Sequence, residues 1–148
     1  MNRGVEERLR QLGIVLPEAS EPAARYANTA IVNGLLFVSG KGPGGHPKGK
    51  LGREFTTEEG YAFARSAGLE VLAVVKQALG TLDRVKRVVK VQGFVNATPD
   101  FEEPQSAERF FRSDAGSLRR KRQPCAFGVR RRFRTGQFAD HRGFPFRG

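Results

Sequence analysis

The sequence predicts an α+β fold, a mixed β-sheet covered on one face by helices, and three observations predict it. Two apolar runs, Thr29 to Val32 and Leu35 to Ser39, flank the dipeptide Asn33-Gly34; the stretch from Thr56 to Gly80 repeats apolar residues at helical spacing; and Val89 to Val95 alternates in character. Hairpin, long helix and strand in that order place a helix between strands of one sheet, which favours a right-handed crossover to a parallel neighbour. At 148 residues the chain has the length of one domain.

The first element is a short amphipathic helix. Val5, Leu9 and Leu12 recur at helical spacing, Gly13 suits a C′ stop, and Glu6 and Glu7 suit a helix N-terminus. A linker rich in Pro, Ala and Glu follows. Asn33-Gly34 tolerates the positive φ angles of a type I′ turn, so the two runs around it form a β-hairpin. Gly40 to Gly52, rich in Gly, Pro and Lys, is a loop.

Thr56 and Glu59 have the spacing of a capping box and start the long helix. Tyr61, Ala64, Gly68, Val71, Leu72, Val75 and Leu79 form its apolar stripe, and Gly80 ends it. Leu82-Asp83-Arg84 makes the bend. Val89, Val91, Gly93 and Val95 then alternate with Lys90, Gln92 and Phe94, the period-2 pattern of a strand. Three strands and one covering helix leave an open edge and a half-covered face, so a second helix and more strands are expected after Glu103.

Composition breaks there instead. Residues 1–103 form the predicted domain, with 14 Lys+Arg against 12 Asp+Glu, whereas residues 104–148 hold 12 against 3 and so most of the net charge of +11. Eleven of those 12 cations are Arg, seven of the chain's 12 Phe lie there, and Leu118 and Val129 are its only Leu, Ile or Val. Sparse aliphatics with high net charge predict a disordered tail from which no strand or helix core can be written. Out-of-frame translation of a GC-rich gene yields such a mixture of Arg, Gly, Pro and Ala.

Several function classes are excluded on composition. No run of 18 apolar residues occurs and Met1 to Gly13 lacks a signal-peptide core, so a soluble, cytoplasmic protein without membrane partners is expected. Cys125 is alone, and His46 and His141 are the only histidines; neither disulfide nor metal is expected to hold the fold.

Three segments, Leu35-Leu36-Phe37-Val38-Ser39-Gly40, Thr56-Thr57-Glu58-Glu59-Gly60 and Leu82 through Asn96, resemble in order and spacing the RidA/YjgF family, also called L-PSP endoribonuclease-like. The likeness runs from about Val5 to Phe101. It implies a chorismate-mutase-like fold and a homotrimer with ligand pockets between subunits. It also implies a hydrolytic deaminase that converts reactive enamines and imines of amino acids to 2-oxo acids and ammonia, with no metal or organic cofactor. The substrate-binding residues it implies are Tyr26, Ser39, Gly40 and Asn96, with Lys41 standing where Gln is more usual.

The resemblance stops short of a complete site, and the catalytic residues are left unassigned. The family's Arg, which clamps the substrate carboxylate by two parallel hydrogen bonds, and its late Glu belong to strands that the tail does not supply. Pro124-Cys125-Ala126-Phe127-Gly128-Val129 echoes the first, with Pro124 in the Arg position and Arg122 out of register. An inactive version of the enzyme is one reading; a noncatalytic ligand-binding trimer is another. A third is a nucleic-acid-binding protein or endoribonuclease, whose tail Arg would neutralise phosphates and whose Phe would stack on bases, without sequence specificity.

Plainer readings stand beside these. Gly44 to Lys50 fits seven positions of a phosphate loop, but Leu51 replaces the hydroxyl residue and Gly52 opposes an immediate helix. Ser39 equally suits a strand-end serine bonding backbone, and Asn96 a turn former. His46 reads as a solvated loop residue, Cys125 as incidental, and Arg84, Lys86, Arg87 and Lys90 as a solvated basic face.

Overall fold

The computed structural model describes residues 4–22 and 25–102, and the backbone of 126–131. The rest of the Arg/Phe-rich stretch, with Arg122, Cys125 and His141, lies outside the described residues.

Helix α1 spans Val5–Gln11. Gly13, at φ 65°, donates to the Arg10 carbonyl at 3.0 Å while Ile14 donates to that of Leu9 at 2.9 Å. These are the paired bonds of a Schellman end, and Ile14 packs on the cluster that contains Leu9.

Strands β1 (Thr29–Val32) and β2 (Leu35–Val38) pair antiparallel, Ile31 opposite Leu36. Asn33 and Gly34 take φ of 49° and 76°, the positive values that the expected turn requires. Alternation then sorts the side chains of β2, while β1 is exposed from Ala30 to Val32. Leu36 and Val38 pack inward, whereas Val32, Leu35 and Phe37 remain 55%, 47% and 58% exposed on the opposite face.

Helix α2 occupies Thr57–Leu79, bounded as its sequence signals predict. Glu59 N–H donates to Thr56 Oγ1 at 3.2 Å, and Thr56 N–H donates to the Glu59 carboxylate at 2.8 Å. At the other end Gly80 takes φ 78°, and the Arg84 guanidinium donates to the Leu79 carbonyl at 3.1 Å. The bend is a 3₁₀ turn over Leu82–Arg84. Strand β3 (Lys90–Val95) follows, with Val91 and Gly93 half-buried, Val95 buried and Lys90, Gln92 and Phe94 exposed.

Two expectations need correction. The strand parallel to β3 is not in the hairpin: it is β4, Ala126–Arg131, with Val91 opposite Phe127 and Val95 opposite Arg131. Among the described residues the hairpin is an antiparallel pair and β3–β4 a parallel pair, so the α+β class with strands of both senses stands as expected. The stretch after Pro104 therefore supplies a strand where its overall composition argued for none. Averaging over 45 residues hid Ala126-Phe127-Gly128-Val129, an uncharged run near the minimum length for a strand.

Two apolar clusters hold the layers together. Leu9, Leu72, Val75 and Leu82 join α1, α2 and the 3₁₀ turn, with Leu36 and Val38 of the hairpin packed against them. Leu51, Val95 and Ala97, flanked by Phe55 and Phe101, form the second beneath the loop. Gly60 lets α2 approach this second cluster, since a Cβ there would lie 2.7 Å from the Leu51 methyl groups.

Candidate functional site

The hairpin register places Ser39 beside the chain entering β1. Its backbone N–H donates to the Asn28 carbonyl at 2.9 Å, and its hydroxyl donates to the Ala27 carbonyl at 2.7 Å. The hydroxyl hydrogen is thereby committed, which leaves the oxygen lone pairs to accept a further bond. Gly40 is exposed, and a Cβ on it would meet nothing within 4 Å among the described residues. Open space thus borders the backbone directly after Ser39.

Lys41 is fixed by neutral oxygens. Its ammonium donates to Asn28 Oδ1 at 2.6 Å and to Ser20 Oγ at 3.2 Å. Asn28 Nδ2 donates to the Ser20 carbonyl at 2.7 Å, and Ser20 N–H donates to Glu70 Oε1 at 2.7 Å. One turn earlier on α2, Ser66 Oγ accepts from Gly44 N–H at 3.0 Å. Ser66 and Glu70 are four apart on one helix and so share a face. That face anchors both the interhelical linker and the loop that follows β2.

Sequence reasoning missed Ser20, Asn28 and Glu70. Asn28 reads as an ordinary residue before a strand, and only the pairing of β1 with β2 sets it opposite Ser39. The link from Ser20 to Glu70 spans 50 positions and leaves no local pattern.

Of the other expected residues, Tyr26 is 44% exposed, and Asn96 is exposed at the end of β3. Asn96 Nδ2 donates to the Gly49 carbonyl at 2.6 Å, and its own carbonyl accepts from Leu51 N–H at 2.9 Å. Ser39 and Asn96 therefore hold different segments: Ser39 closes the hairpin's open end, and Asn96 ties the loop to β3. No hydrogen bond joins them.

Lys50 is not placed as a phosphate-loop lysine would be. Its N–H donates to Glu54 Oε2 at 2.7 Å, so a carboxylate sits at that N–H. The Lys50 N–H first, and Arg53 next, hold the Glu54 carboxyl below its ordinary range. No helix begins until Thr57. His46 is an exposed loop residue, as expected, at φ 47°. Arg84, Lys86, Arg87 and Lys90 are exposed. Among the described residues no helix is long and apolar enough to cross a membrane.

Comparison with known proteins gives a consistent picture. The model of the family described as "YjgF/chorismate mutase-like, putative endoribonuclease" matches residues 6–109. Protein TCP17 of Trypanosoma cruzi is 41% identical over 133 residues, covering 84% of this chain and 83% of its own. A match of that extent reaches past residue 103 into the Arg-rich stretch. The crystal structure of a "putative endoribonuclease" from Shewanella oneidensis MR-1 superposes with a TM-score of 0.76 at 29% identity, over 86% of this chain and 88% of its own. Atu1372 of Agrobacterium tumefaciens, a protein described as having unknown function, gives 0.68 at 32% identity over 84% and 78%.

Proposed function

Since this chain belongs to the YjgF/chorismate mutase-like family, we propose that it binds small 2-imino acids, or the enamines from which they form, and hydrolyses them in the cytoplasm as a homotrimer. Water adds to the imine carbon, the C–N bond of the resulting carbinolamine breaks, and ammonia leaves with the proton, giving a 2-oxo acid. The balance requires only substrate and water.

The observation that carries this reading is the pairing of Ser39 with Gly40. Ser39 spends its hydrogen on Ala27, so it meets a ligand as an acceptor and suits the N–H of a protonated imine. At Gly40 a Cβ would meet nothing within 4 Å among the described residues, so the backbone there has room for a ligand. Tyr26 flanks the hairpin on the N-terminal side, and Asn96 holds the loop. The exposed face of Val32, Leu35 and Phe37 supports the trimer, because closed symmetry buries apolar surface that one subunit leaves in water.

The endoribonuclease description of the family model and of the Shewanella protein favours a second reading, cleavage or nonspecific binding of RNA. One experiment separates them. Full-length protein is given 2-iminobutyrate generated in situ, and separately a labelled single-stranded RNA. Accelerated release of ammonia with intact RNA is the expected result. A rate equal to buffer removes the hydrolase; fragmentation of the RNA favours the nuclease.

A further inference from the structure

We propose that Lys41 is a cation that receives the carboxylate of the ligand. This rests on the small-acid reading above and assigns its charge recognition to one residue. An ammonium has three N–H donors. Two of them are directed at Asn28 Oδ1 and Ser20 Oγ, and the third has no acceptor among the described residues, which leaves it for a ligand.

Neither acceptor carries charge. Lys41, half-buried, forms no ion pair among the described residues. The one carboxylate in its chain of bonds, that of Glu70, is engaged by the Ser20 N–H. An ammonium held only by neutral oxygens faces no opposite charge, and an arriving carboxylate supplies one.

Two features adapt this residue to binding. Its acceptors are themselves fixed, Asn28 through the Ser20 carbonyl and Ser20 through Glu70 on α2, so little side-chain freedom is left to lose when a ligand arrives. Among the described residues the backbone on both sides is open, for a Cβ at Gly40 or at Gly42 would meet nothing within 4 Å. An acid whose carboxylate rests on Lys41 can then extend toward Ser39 and the Gly40 backbone. A lysine recognises the group as a point charge and not through a planar fork, so discrimination by charge is expected to exceed discrimination by shape.

The test uses full-length protein with 2-oxobutyrate, the acid product, and its uncharged amide, 2-oxobutanamide. Calorimetry measures affinity, and ¹H–¹⁵N spectra follow Ser39 and Gly40. The acid is expected to bind at least tenfold more tightly than the amide. Lys41→Gln and Lys41→Met bring the preference within twofold, and Lys41→Arg retains it. A tenfold preference that survives Lys41→Gln overturns the proposal and leaves the small-acid reading intact. If neither compound binds or moves Ser39 and Gly40 in the unsubstituted protein, the small-acid reading fails and takes the proposal with it. Should the substitutions unfold the chain, the Lys41 Cε resonance of the unsubstituted protein decides: movement with the acid alone supports the proposal, and indifference to it overturns it.

Discussion

Glu6 and Asp83 cap each other's turns. The Asp83 carboxylate accepts from the Glu6 N–H at 3.1 Å, in the first turn of α1, and the Glu6 carboxylate accepts from the Leu82 N–H at 3.1 Å, at the start of the turn that contains Asp83. Lys76 of α2 adds a bond to Glu6 at 2.8 Å. Gly4 makes the approach feasible, because a Cβ there would lie 2.5 Å from the Asp83 carboxylate. Two helix starts 77 positions apart are thus locked by two acids.

That arrangement predicts an acid-sensitive joint. The Lys76 hydrogen bond first, and the Leu82 N–H next, hold the Glu6 carboxyl below its ordinary value. A depressed carboxyl contributes stability that is present above its unfolded pKa and lost as pH falls through the folded one. Glu6→Gln is expected to cost about 1.5–2 kcal/mol at neutral pH, the low end of the range for hydrogen bonds to charged groups. The gap between variant and parent should close on acidification below about pH 4, under the ordinary Glu value. Urea unfolding at a series of pH values measures it; a gap of constant size would contradict the assignment.

Gly60→Ala should destabilise the chain despite Ala's better helix propensity. The added methyl meets the Leu51 side chain, which is buried at 6% exposure between Val95 and Ala97. Overpacking costs about 1–3 kcal/mol, against a propensity gain of at most about 1 kcal/mol. A net loss of about 1 kcal/mol in thermal or urea unfolding is expected, and a rise in stability would show that Leu51 has room to move.

Thr98→Val should be neutral or stabilising. The Thr98 hydroxyl oxygen is buried with no hydrogen-bond partner among the described residues, although its backbone N–H reaches the Leu51 carbonyl at 2.9 Å. Replacing an unsatisfied hydroxyl by a methyl of similar volume removes a desolvation cost of about 1 kcal/mol or more. A lowered unfolding midpoint would mean that the hydroxyl has a partner.

Phe37→Glu tests the proposed assembly. Phe37 lies with Val32 and Leu35 on the hairpin face turned away from the core, 58% exposed. A charge there leaves the inner face of Leu36 and Val38 untouched, so the subunit should fold while association is lost. Light scattering is expected to give three times the 16.3 kDa chain mass for the parent and one for the variant. A parent of one chain mass would dispose of the trimer.

The candidate site divides between what neighbouring residues can announce and what they cannot. Ser39, Gly40 and Asn96 became candidates only through the family resemblance; what their neighbours announce is their place, Ser39 and Gly40 after a hairpin whose turn two adjacent residues encode, and Asn96 at the end of an alternating run. The Lys41, Asn28, Ser20 and Glu70 chain was not legible, because its bonds join three segments through the register of β1 on β2 and one face of α2. Strand β4 was obscured differently: its residues are few, and the surrounding Arg dominated the composition.

By itself the sequence determined the local elements: the Schellman end at Gly13, the turn at Asn33-Gly34, and the α2 boundaries at Thr56 and Gly80. Each depends on bonds among residues a few positions apart, whose geometry is dictated by side-chain type and allowed φ. Tertiary structure alone decided that β3 takes a tail strand as its parallel partner, that Glu6 and Asp83 cap one another, and that Lys41 is held without a counter-ion among the described residues. Those outcomes depend on which distant surfaces meet when apolar area leaves water, a driving force without direction or memory of sequence separation.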